Sequence, residues 1–159
     1  SSPGTGTSKQ WQQMEKEMMN YNKNHCTTIE WLKMGIYSLL GNLGSSKASQ
    51  ALFRQVVRNY NADYPAFHDV KLDMSNVSVQ AGNQTRKEIM AYPLLPRLED
   101  PAFPITVTFG DNDIFGASEH FVISRYPSAQ VFTIKNSGHF PFLHNPQDYF
   151  AILHQHFQP

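Results

Sequence analysis

Two short stretches of the chain decide the predicted fold: PITVTFGDND at residues 104–113 and VFTIKNSGH at residues 131–139. Each stretch contains a run of β-branched and aromatic residues, at 105–109 and 131–134, which is typical of a β-strand. Each run leads into a polar loop that contains glycine. We therefore predict two strands, each followed at its carboxyl end by a loop with ionisable side chains.

A helix is predicted after each of these strands. The first covers residues 117–126 and ends near Pro127, and the second covers residues 146–157 with a proline in its first turn. The order strand–helix–strand–helix with short links predicts parallel α/β architecture. Two strands alone do not make a stable sheet, so we expect this part of the chain to be the end of a larger sheet.

The part of the chain before residue 99 is predicted to be mostly helical. Residues 7–60 show apolar residues at spacings of three and four, the pattern of amphipathic helices. Thr27 or Thr28 is predicted to cap the second of three helices in this range, and a fourth helix covers about 79–92. The inner face of the second helix is expected to consist of apolar residues: Ile29, Leu32, Ile36 and Leu39.

Composition excludes several classes of protein. The net charge is +0, from 13 basic and 13 acidic residues, so we expect no nucleic-acid partner. No apolar run approaches the ~20 residues that span a bilayer, so we expect no membrane partner either. Residues 1–6 lack the basic and apolar segments of a signal peptide, and the single cysteine, Cys26, cannot form an internal disulfide. These features predict a soluble protein of the cytoplasm.

The candidate catalytic residues lie in the two loops that follow the strands. Asp113 ends the first stretch and His139 ends the second. Parallel strands bring their carboxyl ends to one edge of the sheet, where α/β proteins place functional groups. A carboxylate at this edge would fix the tautomer of the imidazole and stabilise its protonated form, so that the other ring nitrogen acts as a base. Asp111 fits the same loop and is the weaker candidate for the acid.

These loops resemble the C-terminal part of α/β-hydrolase enzymes. In that family a strand leads into G-[DE]-x-D, whose last residue is the triad acid, and a later strand leads into G-H, whose histidine is the triad base. The matching residues are Asp113 and His139, and the match covers roughly residues 90–157. One position departs from the pattern, since His144 stands where the family has an acidic residue. The text of residues 92–98 also resembles the prolyl aminopeptidase-like branch.

The resemblance implies a fold class and a domain division. The fold class is α/β, with the C-terminal strands and helices of an α/β-hydrolase sheet preceded by a mostly helical cap. Residues 1–98 would be the cap, with 1–6 the end of a core strand or loop, and residues 99–159 would belong to the core. The family's G-x-S-x-G nucleophile elbow does not occur in this chain, so we expect the N-terminal half of the fold to be missing from it.

The predicted function follows from the resemblance. The chain would be the cap and acid/histidine-bearing segment of a serine hydrolase, esterase or aminopeptidase-like, that acts on small-molecule esters or peptide-like amides. A missing N-terminal segment or a second chain would supply the nucleophile. An aspartate nucleophile, as in dehalogenases and epoxide hydrolases, uses the same acid and histidine loops. No cofactor or metal is implied.

Two other interpretations remain open. The chain is a catalytically inactive fold relative that serves as a binding module, or it is a helical metal-binding protein that uses His25, Cys26 and the terminal histidines. Neither cysteine nor histidine spacing matches a zinc site. Three cap carboxylates would suit a substrate amine, although such charges are usually the solvated face of a helix: Glu15, Glu17 and Glu30.

Overall fold

The structure, a computed structural model, describes residues 7–68, 70–91 and 99–158 of the chain. It divides the chain into two compact units. We call Met19–Tyr92 the helical unit, and Ser1–Met18 together with Pro93–Pro159 the sheet unit. The predicted boundary between residues 98 and 99 falls inside the sheet unit and stays a prediction.

The helical unit is built from the helices of the first half of the chain. They are α1 at Ser8–Asn24, whose first turns belong to the sheet unit, α2 at Thr28–Asn42, α3 at Ser46–Tyr60 and α4 at Val79–Ala91. A short 3₁₀ turn covers Pro65–Phe67.

Side chains at the helix starts explain where these helices begin. Thr27 caps α2 in a capping box, because its hydroxyl accepts the Glu30 N–H while the Glu30 carboxylate accepts the Thr27 N–H. The Ser45 hydroxyl caps α3 by accepting the Ala48 N–H at 3.3 Å. Gly44, between the two helices, has a φ of 95°, in the left-handed region where glycine is favoured.

The predicted inner face of α2 is wrong. Ile29, Leu32, Ile36 and Leu39 are all exposed, and α2 instead buries Met34 and Gly41 against α3 and α4. The physical reason lies at Gly41, where a Cβ would be 2.8 Å from Val79 Cγ2 and 2.9 Å from the Ser49 hydroxyl oxygen. This close approach selects the glycine-bearing side of α2 for the interior. The apolar side consequently faces away from the helical unit.

The described residues of the sheet unit form two strands and three further helices. The elements are β1 at Thr106–Gly110, α5 at Glu119–Arg125, β2 at Gln130–Ile134, α6 at Pro141–His144 and α7 at Pro146–Phe157. A 3₁₀ turn at Gly116–Ser118 precedes α5. The two strands pair in parallel, in a register that runs from Thr106 opposite Gln130 to Gly110 opposite Ile134.

The predicted fold class is wrong. The described residues are mostly helical, with seven α-helices and a single two-stranded parallel sheet, and this is not the C-terminal sheet of an α/β-hydrolase with a cap. The prediction extended two strands to a larger sheet because a parallel pair is marginal by itself. Within the described residues, apolar side chains rather than further strands cover the pair. The buried apolar residues of the pair and of the segments beside it are Phe109, Ile134, Ile114, Phe115 and Val122.

Two sequence-based expectations lie outside the described residues. One is that residues 1–6 end a core strand or loop, and the other concerns the prolyl aminopeptidase-like text at 92–98. In the described part of the chain, no helix has both the length and the apolar character needed to cross a membrane.

Two glycines of α2 provide a matched test of this packing. We expect Gly41→Ala to lower the free energy of unfolding by about 1–3 kcal/mol, because overlap with Val79 and Ser49 outweighs the better helix propensity of alanine. Gly35→Ala is the control, because a Cβ there meets nothing within 4 Å. It should raise stability by about 0.5–1 kcal/mol. Urea unfolding followed by far-UV circular dichroism measures both, and equal effects would contradict the assigned inner face.

Candidate functional site

The candidate site is formed by the loops that follow β1 and β2. Because the strands are parallel and Gly110 pairs with Ile134, both loops leave the sheet at the same edge. The backbone then continues the contact beyond the strands. The Asp111 N–H donates to the Ile134 carbonyl at 2.9 Å, and the Asn112 N–H donates to the Ser137 carbonyl at 3.0 Å.

The Asp111 carboxylate holds the second loop against the first. One oxygen accepts the Asn136 N–H at 3.1 Å and the other accepts the Ser137 N–H at 3.0 Å. Asn136 itself has a φ of 52°, in the left-handed region that asparagine tolerates better than most residues. The pKa of Asp111 is lowered, mainly by the hydrogen bond from the Ser137 N–H and further by the hydrogen bond from the Asn136 N–H, whereas burial opposes this shift. Asp111, the weaker candidate for the acid, therefore binds the backbone of the second loop.

Gly110 permits the close approach of the two loops. A Cβ at this position would overlap the backbone carbonyl oxygens of Ser137 and Gly138. Backbone atoms cannot move aside as the end of a flexible side chain can, so only glycine fits here. Gly110, the glycine of the G-D-x-D motif, thus leaves room for the backbone of the second loop.

The structure brings Asp113 and His139 together. An oxygen of Asp113 lies 3.1 Å from His139 Nδ1. The Asp113 side chain is only 4% exposed, whereas the His139 side chain is 18% exposed. The same Asp113 oxygen accepts the Phe115 N–H at 3.1 Å, and the Phe115 ring meets the imidazole edge-on with centroids 5.3 Å apart. A buried carboxylate therefore holds a partly exposed imidazole in one orientation.

Electrostatics keep the buried acid ionised. Burial alone would raise the pKa of Asp113, but the hydrogen bond from His139, the charge of His139 and the Phe115 N–H together lower it. The pKa of the neighbouring Glu119 is raised, first by burial and then by the negative charge of Asp113. Because an ionised carboxylate only accepts hydrogen bonds, the proton of a neutral His139 resides on Nδ1. Nε2 then carries the lone pair, as a general base requires.

His144 binds the same loop from its other side. Its Nδ1 accepts the Gly138 N–H at 3.0 Å, so the neutral imidazole carries its proton on Nε2. Burial lowers the pKa of His144, which favours this neutral form. At the position where the resemblance leads one to expect an acidic residue, an imidazole thus acts as the acceptor for a backbone N–H beside His139.

Two buried serine hydroxyls in this unit are directed to other groups. The Ser137 hydroxyl donates to the Ile134 carbonyl at 3.1 Å, and the Ser118 hydroxyl donates to Glu17 at 2.7 Å. Both residues are fully buried. Neither hydroxyl is oriented as a nucleophile toward His139.

The other residues singled out from the sequence lie elsewhere. Glu30 is part of the α2 capping box, and one of its oxygens lies 3.9 Å from Arg58. Burial, followed by the charge of Glu30, raises the pKa of Cys26, so this thiol is not activated. His25 Nδ1 lies 2.8 Å from the Tyr21 carbonyl oxygen. Within residues 7–68, 70–91 and 99–158, no three His, Cys, Asp or Glu side chains are grouped as metal ligands.

Sequence reasoning missed Phe115 and did not foresee the roles of His144 and Asp111. Phe115 binds Asp113 through its backbone N–H, two residues further along, in the pattern of an Asx turn that the D-x-F spacing permits. His144 and Asp111 both bind the backbone of the second loop, and a backbone partner leaves no mark in the sequence.

In comparisons with known proteins, no family model, no curated protein and no solved structure matches the chain.

The steric role of Gly110 can be tested against a second glycine of the same unit. We expect Gly110→Ala to separate the loops and to destabilise the protein by at least about 2 kcal/mol, because the added methyl group overlaps backbone atoms. The hydrogen-exchange protection of the Ser137 amide should fall with it. Gly116→Ala, where a Cβ meets nothing within 4 Å, should keep that protection. Unchanged protection in Gly110→Ala would refute the assigned contact.

The lowered pKa of His144 predicts that the hydrogen bond between this residue and the Gly138 N–H depends on pH. The pKa of His144 in the folded protein lies below its ordinary value of 6.5, so its contribution to stability is present above pH 6.5 and is lost as the pH falls through the lower, folded-state pKa. Protonation turns Nδ1 into a donor, which cannot accept the Gly138 N–H. We expect the protection factor of the Gly138 amide to fall as the pH is lowered from about 7.5 to about 5.

The control for this experiment is His144→Asn, because its side-chain oxygen stands where Nδ1 stands in histidine, accepts the same N–H and does not titrate in this range. Its Gly138 protection factor should vary less with pH than that of the wild type. Parallel pH profiles in the two proteins would show that His144 does not control the loop.

Proposed function

We propose that Asp113 and His139 form the acid–base pair of a hydrolase that acts on ester or amide bonds, with a nucleophile supplied by a further polypeptide segment or chain. The observation that supports this most directly is the 3.1 Å contact between a buried carboxylate and a partly exposed imidazole. Both residues stand at the carboxyl ends of parallel strands, where functional groups of α/β proteins gather. The similarity of residues 104–113 and 137–139 to hydrolase motifs also supports the chemistry, which does not depend on a shared overall fold.

The proposed mechanism uses the two nitrogens of His139 for different tasks. Nε2 takes the proton of a serine hydroxyl as the oxygen attacks the carbonyl carbon of the substrate. The tetrahedral intermediate then collapses, and Nε2 returns the proton to the departing alcohol or amine. In the second half of the reaction, Nε2 takes a proton from water as the water oxygen attacks the acyl carbon, and then returns that proton to the serine oxygen as the bond to the acyl carbon breaks, which releases the acid and the free serine. No cofactor takes part in these steps.

Asp113 acts through His139 in this mechanism. It holds the proton on Nδ1, so that Nε2 faces the nucleophile, and its negative charge stabilises the imidazolium formed in each half-reaction. Its buried position matters, because an attraction between charges is less screened away from water. The substrate class is a small-molecule ester or a peptide-like amide, and a cytoplasmic location remains a prediction from the composition.

The test combines active-serine labelling with native mass measurement of the protein from its source. A fluorophosphonate probe should label a polypeptide that travels with this chain, and His139→Ala should slow the labelling by at least about 10³-fold. Asp113→Asn should slow it as well, because an amide can donate to Nδ1 and favour the wrong tautomer. The matched control is His154→Ala, which removes an exposed histidine of α7 and should leave the labelling rate unchanged.

Other outcomes decide between the remaining interpretations. A chain that is folded, travels without any second kind of polypeptide and is not labelled would overturn the hydrolase proposal and favour the inactive binding module, whether that chain is a monomer or a dimer of itself. A complex that resists the serine probe but forms a covalent ester with an alkyl halide or epoxide would replace the serine by an aspartate nucleophile. Labelling that persists in His139→Ala would show that the pair has no part in the reaction.

A further inference from the structure

The helix α2 carries an exposed apolar face that no described residue of the helical unit covers. Six residues on this face are between 43% and 75% exposed, and we call them the α2 stripe: Ile29, Leu32, Ile36, Leu39, Leu40 and Leu43. Five belong to the helix, and Leu43 is its C-cap. Scattered exposed apolar residues are ordinary, but a continuous row along one helix is not.

The α2 stripe lies opposite the side by which α2 packs into its own unit. Successive residues of an α-helix are ~100° apart, so Ile36 and Leu43 lie across the helix axis from the buried Met34 and Gly41. The stripe is therefore not the edge of the buried face of α2. It is a second apolar face, on the side of the helix opposite the face that packs into the helical unit.

The size of the stripe suits one side of a protein–protein interface. Each of the six residues exposes between 43% and 75% of its surface, so together they form an apolar patch on the scale of the ~300–600 Å² patches that are often functional on monomers. Two such patches packed face to face would bury an area that approaches the ~1,200–2,000 Å² of specific protein–protein interfaces. A second stripe is therefore a partner of suitable size.

Five of the six residues of the α2 stripe are spaced symmetrically about Ile36, whereas the sixth, Leu39, has Lys33 as its counterpart three positions to the other side. Ile29 and Leu43 each lie seven positions from it, and Leu32 and Leu40 each lie four positions from it. Two copies of α2 that cross antiparallel at Ile36 would place Ile29 against Leu43 and Leu32 against Leu40. A self-complementary row of this kind is what a two-fold axis requires, because the same surface serves both partners.

Charge favours the antiparallel arrangement. The charged residues of α2 are Glu30, which is engaged by Thr27, and Lys33. In a parallel pair the two Lys33 ammonium groups would lie opposite each other. In an antiparallel pair they lie on opposite sides of the crossing point, about 9 Å apart along the axis at 1.5 Å per residue. The helix dipoles also oppose each other favourably.

We propose that the chain forms a two-fold symmetric dimer in which the α2 stripe packs against the α2 stripe of a second copy, antiparallel, with Ile36 at the axis. The contact is a short version of the a/d seam of a coiled coil, with apolar residues at spacings of three and four. Gly35, next to the axis, leaves open space where a Cβ would stand, so the partner helix meets no obstruction there. The dimer contact involves neither Asp113 nor His139.

The first experiment measures the mass of the full chain by sedimentation equilibrium over a range of concentrations. The wild type should approach twice 18.1 kDa. Ile36→Lys places two like charges at the axis and should raise the dimer dissociation constant at least ~100-fold. The matched control is Leu72→Lys, which makes the same kind of change at an exposed residue outside the stripe and should leave the dissociation constant unchanged. Circular dichroism verifies that each variant is folded.

A second experiment tests the register. Ile29→Glu and Leu43→Lys should each weaken the dimer, while the two together should restore it, because each glutamate then faces a lysine of the other copy. A parallel dimer would place like charges together and would not be restored. A constant mass of 18.1 kDa overturns the proposal, whether the stripe then binds phospholipid vesicles or a different polypeptide, and so does a dimer that Ile36→Lys does not weaken.

Discussion

The contact between the loops after β1 and β2 is the constraint on which the candidate site depends. Two parallel strands of five residues fix where the loops begin but not how closely they approach. The approach is set by Gly110, which leaves room for the backbone at Ser137, and by the Asp111 carboxylate, which accepts two N–H groups of the opposing loop. Once the loops are joined in this way, the Asp113 carboxylate and the His139 imidazole are brought within hydrogen-bond distance.

Burial of Asp113 and its pairing with His139 cannot be separated energetically. A carboxylate that is 4% exposed loses most of its hydration, which by itself favours the neutral acid. The imidazole and the Phe115 N–H replace that hydration at one oxygen, and the pKa of Asp113 falls rather than rises. The carboxylate therefore stays ionised because His139 is beside it, and His139 keeps its orientation because the carboxylate is ionised. The ionised state of Asp113 and the orientation of His139 therefore depend on each other.

The sequence predicted those features that depend on local pattern or on parallel topology. The two strands, the helices after them and the capping of α2 at Thr27 follow from residue type and spacing, and the edge shared by Asp113 and His139 follows from parallel pairing. The larger hydrolase-type sheet was wrong, because the expectation rested on what usually completes a parallel pair and not on residues present in the chain. The inner face of α2 was wrong for a related reason. Amphipathic spacing identifies an apolar face, but it does not say whether that face or the one bearing Gly41 meets the core, and that choice depends on contacts with Val79 and Ser49, distant in sequence.

The two histidines beside the second loop illustrate how partners, rather than residue type, determine chemical behaviour. His139 faces a carboxylate, so its Nδ1 acts as a hydrogen-bond donor. His144 faces the Gly138 N–H, so its Nδ1 acts as an acceptor, and a proton added there removes the bond that it makes. The loop is therefore held on both sides while His144 is neutral, whereas in acid the attachment at Gly138 is lost. Since Gly138 and His139 are adjacent, the backbone bond to His144 positions the base only while His144 is neutral, which is the state that its burial favours.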